Sequence, residues 1–366
     1  MKYTNYFFST LGINHDDEKA INSLSKLTSI PKGRLKYYNR FNIVPSGKDL
    51  ELLLNHIDLS ETELMLNMGH LNKDLIFAIQ SNSKEVYSFL SNRIQNKREY
   101  TNVPNKVVFQ TSLGILYRGD CVKVLKQIDS DSIDLVFADP PFNLNKLYPS
   151  KIDDNLKTEQ YLHWCQEWLT ECFRVLKFGG SLFLWNLPIW NASLSYFLSG
   201  RLSFKHWIGV DIKYRLPISG RLYPSHYSLL YFIKGDKANT FEPDRLPMQI
   251  CPHCSGDLKD YGGYKDKMNP KGINKSDMWY DIPPVRHKKY KKRDDANELS
   301  IKLMDRIIQM SSKEGDVILD PFGGSGTTYV VAEMKNRKWV GCEIGPEKDI
   351  VNRFNNIANE KRYLSE

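Results

Sequence analysis

Two short apolar runs, each stopped by an acidic residue and proline, constrain this chain more than anything else in it. They are SIDLVFADPPFNLN, residues 132–145, and DVILDPFGGSGTT, residues 316–328. An apolar run of this length without alternation suits a strand buried on both faces, as in a parallel sheet. Parallel strands need crossover helices, and the spacing supplies them. TEQYLHWCQEWLTECFRVL (158–176) puts Tyr161, Cys165, Trp168 and Cys172 on one helical face, with Gly179 and Gly180 expected to cap it. NELSIKLMDRIIQM and the segment from Thr327 read as further helices. VVFQ, GILYRGD, SLFLW and KWVGCEI read as strands, and HWIGVDIKY with HYSLLYFIKG as an antiparallel pair. The expected fold is α/β, a doubly wound, mostly parallel sheet interrupted once.

The interruption, residues 236–295, loses the alternation and is rich in Gly, Pro, Tyr and Lys. Residues 1–100 carry only helical spacing, as in KAINSLSKLT, GKDLELLLNHI and SETELMLNMGHL. The expected organisation is therefore a helical domain at 1–100, a catalytic domain formed by 105–235 and 296–366, and an insertion at 236–295. The longest apolar runs, such as SLFLW, are far too short to span a bilayer, and MKYTNYFFST has no apolar signal core. A cytoplasmic protein is expected. Six cysteines in 366 residues make no disulfide framework, and Cys121, Cys165, Cys172 and Cys342 read as small buried apolar groups.

The glycine turn comes first in the chemistry. Gly323, Gly324 and Gly326 let backbone approach a ligand closely. No Lys-Ser/Thr follows, so this is not a phosphate loop, and the third glycine of the dinucleotide pattern is missing. Glu343 closes the next strand 17 residues after Gly326, where a carboxylate can accept both ribose hydroxyls. Strand, glycine turn, helix, strand and acid point to a nucleoside cofactor; a tight turn with a capping acid is the structural alternative.

In the other motif a buried strand delivers Asp139 at its carboxyl end. Pro140 and Pro141 stiffen the loop and leave carbonyls to accept, and Phe142 offers an aromatic face. Acceptor carboxylate, acceptor carbonyls and ring suit a planar base bearing an amino group; a proline-rich turn is the plain alternative.

DPPF and FGGSG in one chain, each ending a strand, resemble the amino-directed DNA methyltransferases over roughly residues 114–350. DPPF precedes FGGSG, with the insertion between, which resembles the permuted group called the β class. The resemblance implies a Rossmann-like S-adenosylmethionine-dependent fold, S-adenosylmethionine as cofactor and double-stranded DNA as partner. It implies catalytic roles for Asp139, Pro140, Pro141 and Phe142, with Asp139 also facing the cofactor. Asp320, Phe322, Gly323, Gly324, Gly326 and Thr327 match the methionine-side motif, and Glu343 the ribose acid. Asp120, followed by Cys121, matches the acid near the adenine of the cofactor. Many relatives carry a Thr-Gln-Lys-Pro type segment before the helix preceding FGGSG. This chain has DDANELS there, and the resemblance implies Asn297, Glu298 and Ser300 as the replacements at the cofactor carboxylate.

An Asp opening the catalytic motif is associated in this family mainly with N6 of adenine, a Ser with N4 of cytosine. Adenine is the expected target, with a base taken out of the helix and stacked on Phe142 and Tyr148. The alternatives are N4 of cytosine, an inactive DNA-binding regulator, and an RNA or protein-amine methyltransferase. A cognate restriction enzyme and a homodimer are open partners.

Between Lys234 and Arg293 stand 14 Lys and Arg against 8 Asp and Glu, so most of the net charge of +8 lies there. The run Arg286, Lys288, Lys289, Lys291, Lys292 and Arg293, with Tyr261, Tyr264, Trp279 and Tyr280, reads as a target-recognition surface or a solvated face. CPHC offers Cys251 and Cys254, two of the four ligands a structural zinc needs, with no second CxxC. Near the N-terminus, LSKLTSIPKGRLKYYNRFNIVPSGKDLELLLNHIDLSETEL, by its turn at SIPKG and the Pro-Ser start before DLELLL, resembles a phage-repressor helix-turn-helix with Arg34, Lys36 and Arg40 on the recognition helix; a helical packing or dimerisation module is the alternative.

Overall fold

The computed structural model describes residues 7–71, 73–91, 106–144, 155–212, 219–220, 222, 224–248, 250, 253, 258–260, 262–283 and 298–362. By contact the chain divides into two compact units, residues 1–99 and 100–366.

The first unit is helical: α1 (Phe7–Thr10), α2 (Glu18–Thr28), α3 (Lys32–Phe41), α4 (Lys48–Leu54), α5 (Glu61–Asn67), α6 (Lys73–Ser81) and α7 (Ser83–Ser91). Its core gathers Phe7, Phe8, Ile21, Leu24, Ile30, Leu35, Leu53, Leu64 and Met68. Asp17 caps α2 by accepting from Lys19 and Ala20, and Ser60 with Glu63 forms a capping box on α5. The α2–α3 turn passes through Ser29 at φ 59°, and Arg34, Lys36 and Arg40 lie on α3. Two of these cations are paired within the unit. Arg34 donates to both oxygens of the buried Asp49 carboxylate, at 2.8 and 2.9 Å, and Lys36 meets Glu18. Burial and the flanking Asp49 push the Tyr38 hydroxyl up to about 12.

The second unit runs β1 (Lys106–Gln110), β2 (Gly114–Arg118), α8 (Cys121–Leu125), β3 (Ile133–Ala138), α9 (Thr158–Val175), β4 (Leu176–Asn186), α10 (Pro188–Ser199), β5 (Ser203–Asp211) and β6 (His226–Ile233). It continues with β7 (Arg245–Leu246), β8 (Ile273–Asn274), β9 (Met278–Trp279), α11 (Ile301–Ser311), β10 (Val317–Asp320), α12 (Thr327–Met334), β11 (Lys338–Glu343), α13 (Lys348–Asn355) and α14 (Ile357–Arg362). The main sheet has nine strands in the order β1-β2-β11-β10-β3-β4-β6-β5-β9. From β2 to β4 every pairing is parallel, while β6 runs antiparallel to both β4 and β5.

Both faces of the parallel strands are covered, as their unalternated apolar runs require. Leu135 and Phe137 of β3 join Phe183, Tyr231 and α11 residues Leu303, Met304 and Ile307 on one face. Val136 and Ala138 join Leu182, Leu184 and α9 residues Cys165, Trp168 and Cys172 on the other. Each such Val, Leu, Ile, Phe or Met side chain, fully buried, contributes about 1.5–3 kcal/mol.

Two expectations are corrected. Gly179 and Gly180 do not cap α9: the helix ends at Val175, and β4 begins with the next residue and runs through both glycines. They occupy a bulge where the β3–β4 register shifts, with Gly179 at φ +80° donating to the Lys234 carbonyl. Nor is the insertion wholly irregular. Met278 and Trp279 add β9 to the sheet edge, and Arg306 of α11 binds insertion residues Asp244 (2.7 Å) and Asp281 (2.6 Å). Among the described residues no helix is long and apolar enough to cross a membrane.

Candidate active site

The strand order creates the site. From β10 the chain crosses through α12 to β11 on one side; from β3 it crosses through α9 to β4 on the other. Connections leaving neighbouring parallel strands in opposite directions open a crevice at their carboxyl ends, the usual ligand position in such sheets. β3 and β10 are paired directly, Leu135 to Ile318 and Val136 to Leu319. The Asp139–Phe142 turn and the Pro321–Gly326 turn therefore meet at one edge.

The glycine turn is built from its acids. Asp320, only 3% exposed, accepts from the Phe322 amide at 2.9 Å and from the Thr328 hydroxyl. Its carboxylate is thus engaged in shaping the turn, beyond the ligand-facing role expected from its position. Burial pushes this carboxyl well up, and the charges of Asp139 and Glu343 push the same way. Tyr329 ties the two strand ends, donating to the Asp320 carbonyl (2.9 Å) and accepting from the Cys342 amide (3.1 Å). A β-carbon on Gly323 would stand 2.8 Å from that hydroxyl, and Gly326 takes φ +77°. Glu343 accepts from Gly324 (2.7 Å) and Gly345 (2.6 Å), which orients its carboxylate while leaving acceptor capacity for a diol. Burial raises its carboxyl above the ordinary range, against the pull of those amides. Asp120 caps α8 by accepting from Lys123 at 3.2 Å, and the adjoining Gly119 amide donates to the Glu343 carbonyl.

The start of α11 reaches this turn, where Thr327 donates to the Leu299 carbonyl at 3.4 Å. Ser300, the α11 N-cap, is 6% exposed, and its hydroxyl has no hydrogen-bond partner among the described residues. A buried hydroxyl at a helix N-terminus without a partner suits a ligand carboxylate.

The other turn is held from outside. The Pro141 carbonyl accepts from Tyr161 (2.7 Å) and the Phe142 carbonyl from the Trp190 indole (2.8 Å). Both carbonyls are therefore in use, and the expectation that the proline carbonyls remain open holds only for Pro140, to which no described residue donates. Asn143, at φ 55°, makes a two-point clamp with the Leu156 backbone, donating at 2.8 Å and accepting at 2.7 Å. Asp139 is half-buried. Phe142 is 6% exposed and its ring lies 6.3 Å from that of Tyr227, so it is part of the core as well as of the turn.

Phe322 packs edge-on against Trp168 (4.9 Å) and Trp164 (5.7 Å) of α9, the helix that also carries Tyr161. Behind the turn, buried Arg353 donates to the Thr327 hydroxyl (2.7 Å) and pairs with Glu360 (2.9 Å). Tyr161, Trp190, Asn143 and Arg353 were not singled out as site residues from the sequence. For Tyr161 a signal existed: a Tyr on a buried helical face must find a partner for its hydroxyl.

Tyr148, Asn297, Cys251, Cys254 and the basic run Arg286, Lys288, Lys289, Lys291, Lys292 and Arg293 lie outside the described residues. Among the described residues no group of His, Cys, Asp and Glu is placed to hold a metal. Cys121, Cys165, Cys172 and Cys342 are buried free thiols, and burial pushes Cys165 up to about 12. None of these four is a thiolate nucleophile.

The sequence profile of the N6/N4 DNA methylases matches residues 133–352, which spans both turns. The type II methyltransferase M.BamHI of Bacillus amyloliquefaciens is 47% identical over 95% of this chain and 82% of its own length. The DNA adenine methyltransferase YhdJ of Escherichia coli K12 is 32% identical over 63% of this chain and 79% of its own. A solved PvuII DNA methyltransferase, cytosine-N4-specific, superposes at a TM-score of 0.49 with 20% identity, over 72% of this chain and 97% of its own. By the extent of the profile match and the identity to M.BamHI, the chain belongs to the N6/N4 DNA methylase family.

Proposed function

We propose that the chain transfers a methyl group from S-adenosylmethionine to the exocyclic amino group of a base in double-stranded DNA, and that the base is adenine. The observation that carries this reading is the juxtaposition of the two turns at the switch point. One presents acceptors for an amine, and the other a glycine cradle with an oriented diol acceptor.

The residues suit the cofactor. Glu343, with its carboxylate oriented by Gly324, is assigned to the ribose hydroxyls, the unpartnered Ser300 hydroxyl with the α11 N-terminus to a carboxylate, and Asp120 to the adenine side. The carboxyls of Asp139, Asp320 and Glu343 lie close enough in the crevice to influence one another, and a cationic ligand there would offset the burial that pushes Asp320 and Glu343 toward the neutral form. When bound, the cofactor supplies an electrophilic methyl group on a positively charged sulfur.

An aromatic amine is a poor nucleophile because its lone pair is delocalised into the ring. Asp139 and the Pro140 carbonyl accept its two N–H bonds and turn the lone pair toward the methyl group. As positive charge grows on that nitrogen, the fixed carboxylate stabilises the transition state more than the ground state. The proton that the amine loses is assigned to Asp139. Positioning can supply about 7 kcal/mol or more of the barrier. The basic stretch from Arg286 to Arg293 is assigned to phosphate contacts with the target DNA.

Adenine is assigned on the Asp that opens the motif and on the similarity to an enzyme named for adenine. Digesting DNA treated with the protein and S-adenosylmethionine to nucleosides, then weighing the products, tests this. N6-methyladenine is expected. N4-methylcytosine would replace the base assignment and keep the mechanism, and a product methylated on ring carbon would overturn both.

A further inference from the structure

We propose that Tyr161 and Trp190 are positioning residues that select which carbonyl of the catalytic turn meets the substrate amine; this rests on the amino-transfer reading above. The argument is an accounting of acceptors. The turn has three successive carbonyls after Asp139, at Pro140, Pro141 and Phe142. Tyr161 occupies the second at 2.7 Å and Trp190 the third at 2.8 Å, while no described residue donates to the first. A donor is thus spent on each carbonyl other than the one beside Asp139.

The two donors form one support. Their rings lie 4.7 Å apart, and Asn186 at the end of β4 donates to the Tyr161 hydroxyl at 3.0 Å. That bond leaves the phenol its own proton to give to Pro141. Asn186 is fully buried, and its side-chain oxygen accepts from Leu187, so the relay begins at a fixed point of the sheet. Prolines cannot donate and their φ is fixed, so these external bonds, with the Asn143 clamp, set where the Pro140 carbonyl points. Tyr161 and Trp190 act through the turn and do not themselves touch the reacting atoms.

The test is single-turnover methylation of unmethylated genomic DNA by the full chain, with methyl-labelled S-adenosylmethionine, for wild type, Tyr161→Phe and Trp190→Phe. Each variant keeps an aromatic ring and loses one donor. The expected result is a fall of about tenfold or more in transfer rate for each, with KM for cofactor and for DNA within about twofold of wild type. The unfolding temperature, read in parallel, is expected to move by only a few degrees, the size of one lost hydrogen bond. Unchanged transfer rates, or a rise in KM alone, would overturn the proposal and leave the function standing. A wild-type protein that labels no DNA overturns the function itself, and is distinguished by that control.

Discussion

The two turns that meet at the edge of the sheet are held by opposite means. The turn after β10 is held from within: its own Asp320, and Glu343 from the next strand, gather backbone amides and a hydroxyl onto carboxylates. The turn after β3 is held from without, by neutral aromatic donors of α9 and α10 on its carbonyls. Each arrangement fits what the turn must offer. A turn whose amides are tied to acids leaves glycine surface and carboxylate edges toward a cationic nucleoside. A turn with outer carbonyls occupied leaves one carbonyl and one carboxylate toward an amine. Under the proposed function, this division gives binding to the first and chemistry to the second.

The sharpest way to break that division is Asp139→Ala. The transfer rate should fall by about a thousandfold or more, with DNA affinity in a filter-binding assay unchanged. A residual rate near wild type would remove Asp139 from the chemistry. Glu343→Gln acts on the other turn and should weaken cofactor binding by about ten- to a hundredfold, the worth of a charge-assisted hydrogen bond. Burial holds the Glu343 carboxyl above the usual range. Wild-type affinity should therefore be lost as pH falls through that raised value, at higher pH than for an exposed Glu. The glutamine variant should show no such slope in a calorimetric titration.

Gly323→Ala probes the turn's geometry. Its β-carbon would meet the Tyr329 hydroxyl at 2.8 Å and the Cys342 carbonyl at 3.1 Å. A loss of about 1–3 kcal/mol in denaturant unfolding is expected, and no loss would show that the strand ends can part. The last effect concerns Asp320. Its folded pKa is raised by burial, so the folded chain holds this proton more tightly than the unfolded one. Its contribution to stability therefore falls as pH rises from the ordinary carboxylate range through the raised value. Asp320→Asn should flatten that part of the stability profile, and an unchanged profile would mean that the carboxylate carries no such penalty.

Much of this was legible in the sequence because buried strands leave plain traces. IDLVFA and VILD carry no polar face to hide, and the acids that end them fall at the carboxyl edge by strand geometry alone. The α9 face of Tyr161, Cys165, Trp168 and Cys172 is buried as its spacing implies. What the sequence hides is long-range pairing. Nothing near Trp190 indicates a carbonyl 48 positions earlier, and nothing near Arg353 indicates Thr327. Gly179 and Gly180 mislead for a local reason: positive φ serves a strand bulge as well as a helix cap. Arg34 and Lys36 read only as cations of a recognition-like helix, because their ion pairs to Asp49 and Glu18 depend on how the helices pack.

The division of labour between the turns is tested most directly by calorimetric titration of S-adenosylmethionine into Asp139→Ala and Glu343→Gln side by side. The account predicts that Glu343→Gln loses about tenfold or more in affinity while Asp139→Ala stays within a few-fold of wild type. The reverse order, with Asp139→Ala losing the cofactor and Glu343→Gln keeping it, would contradict the account.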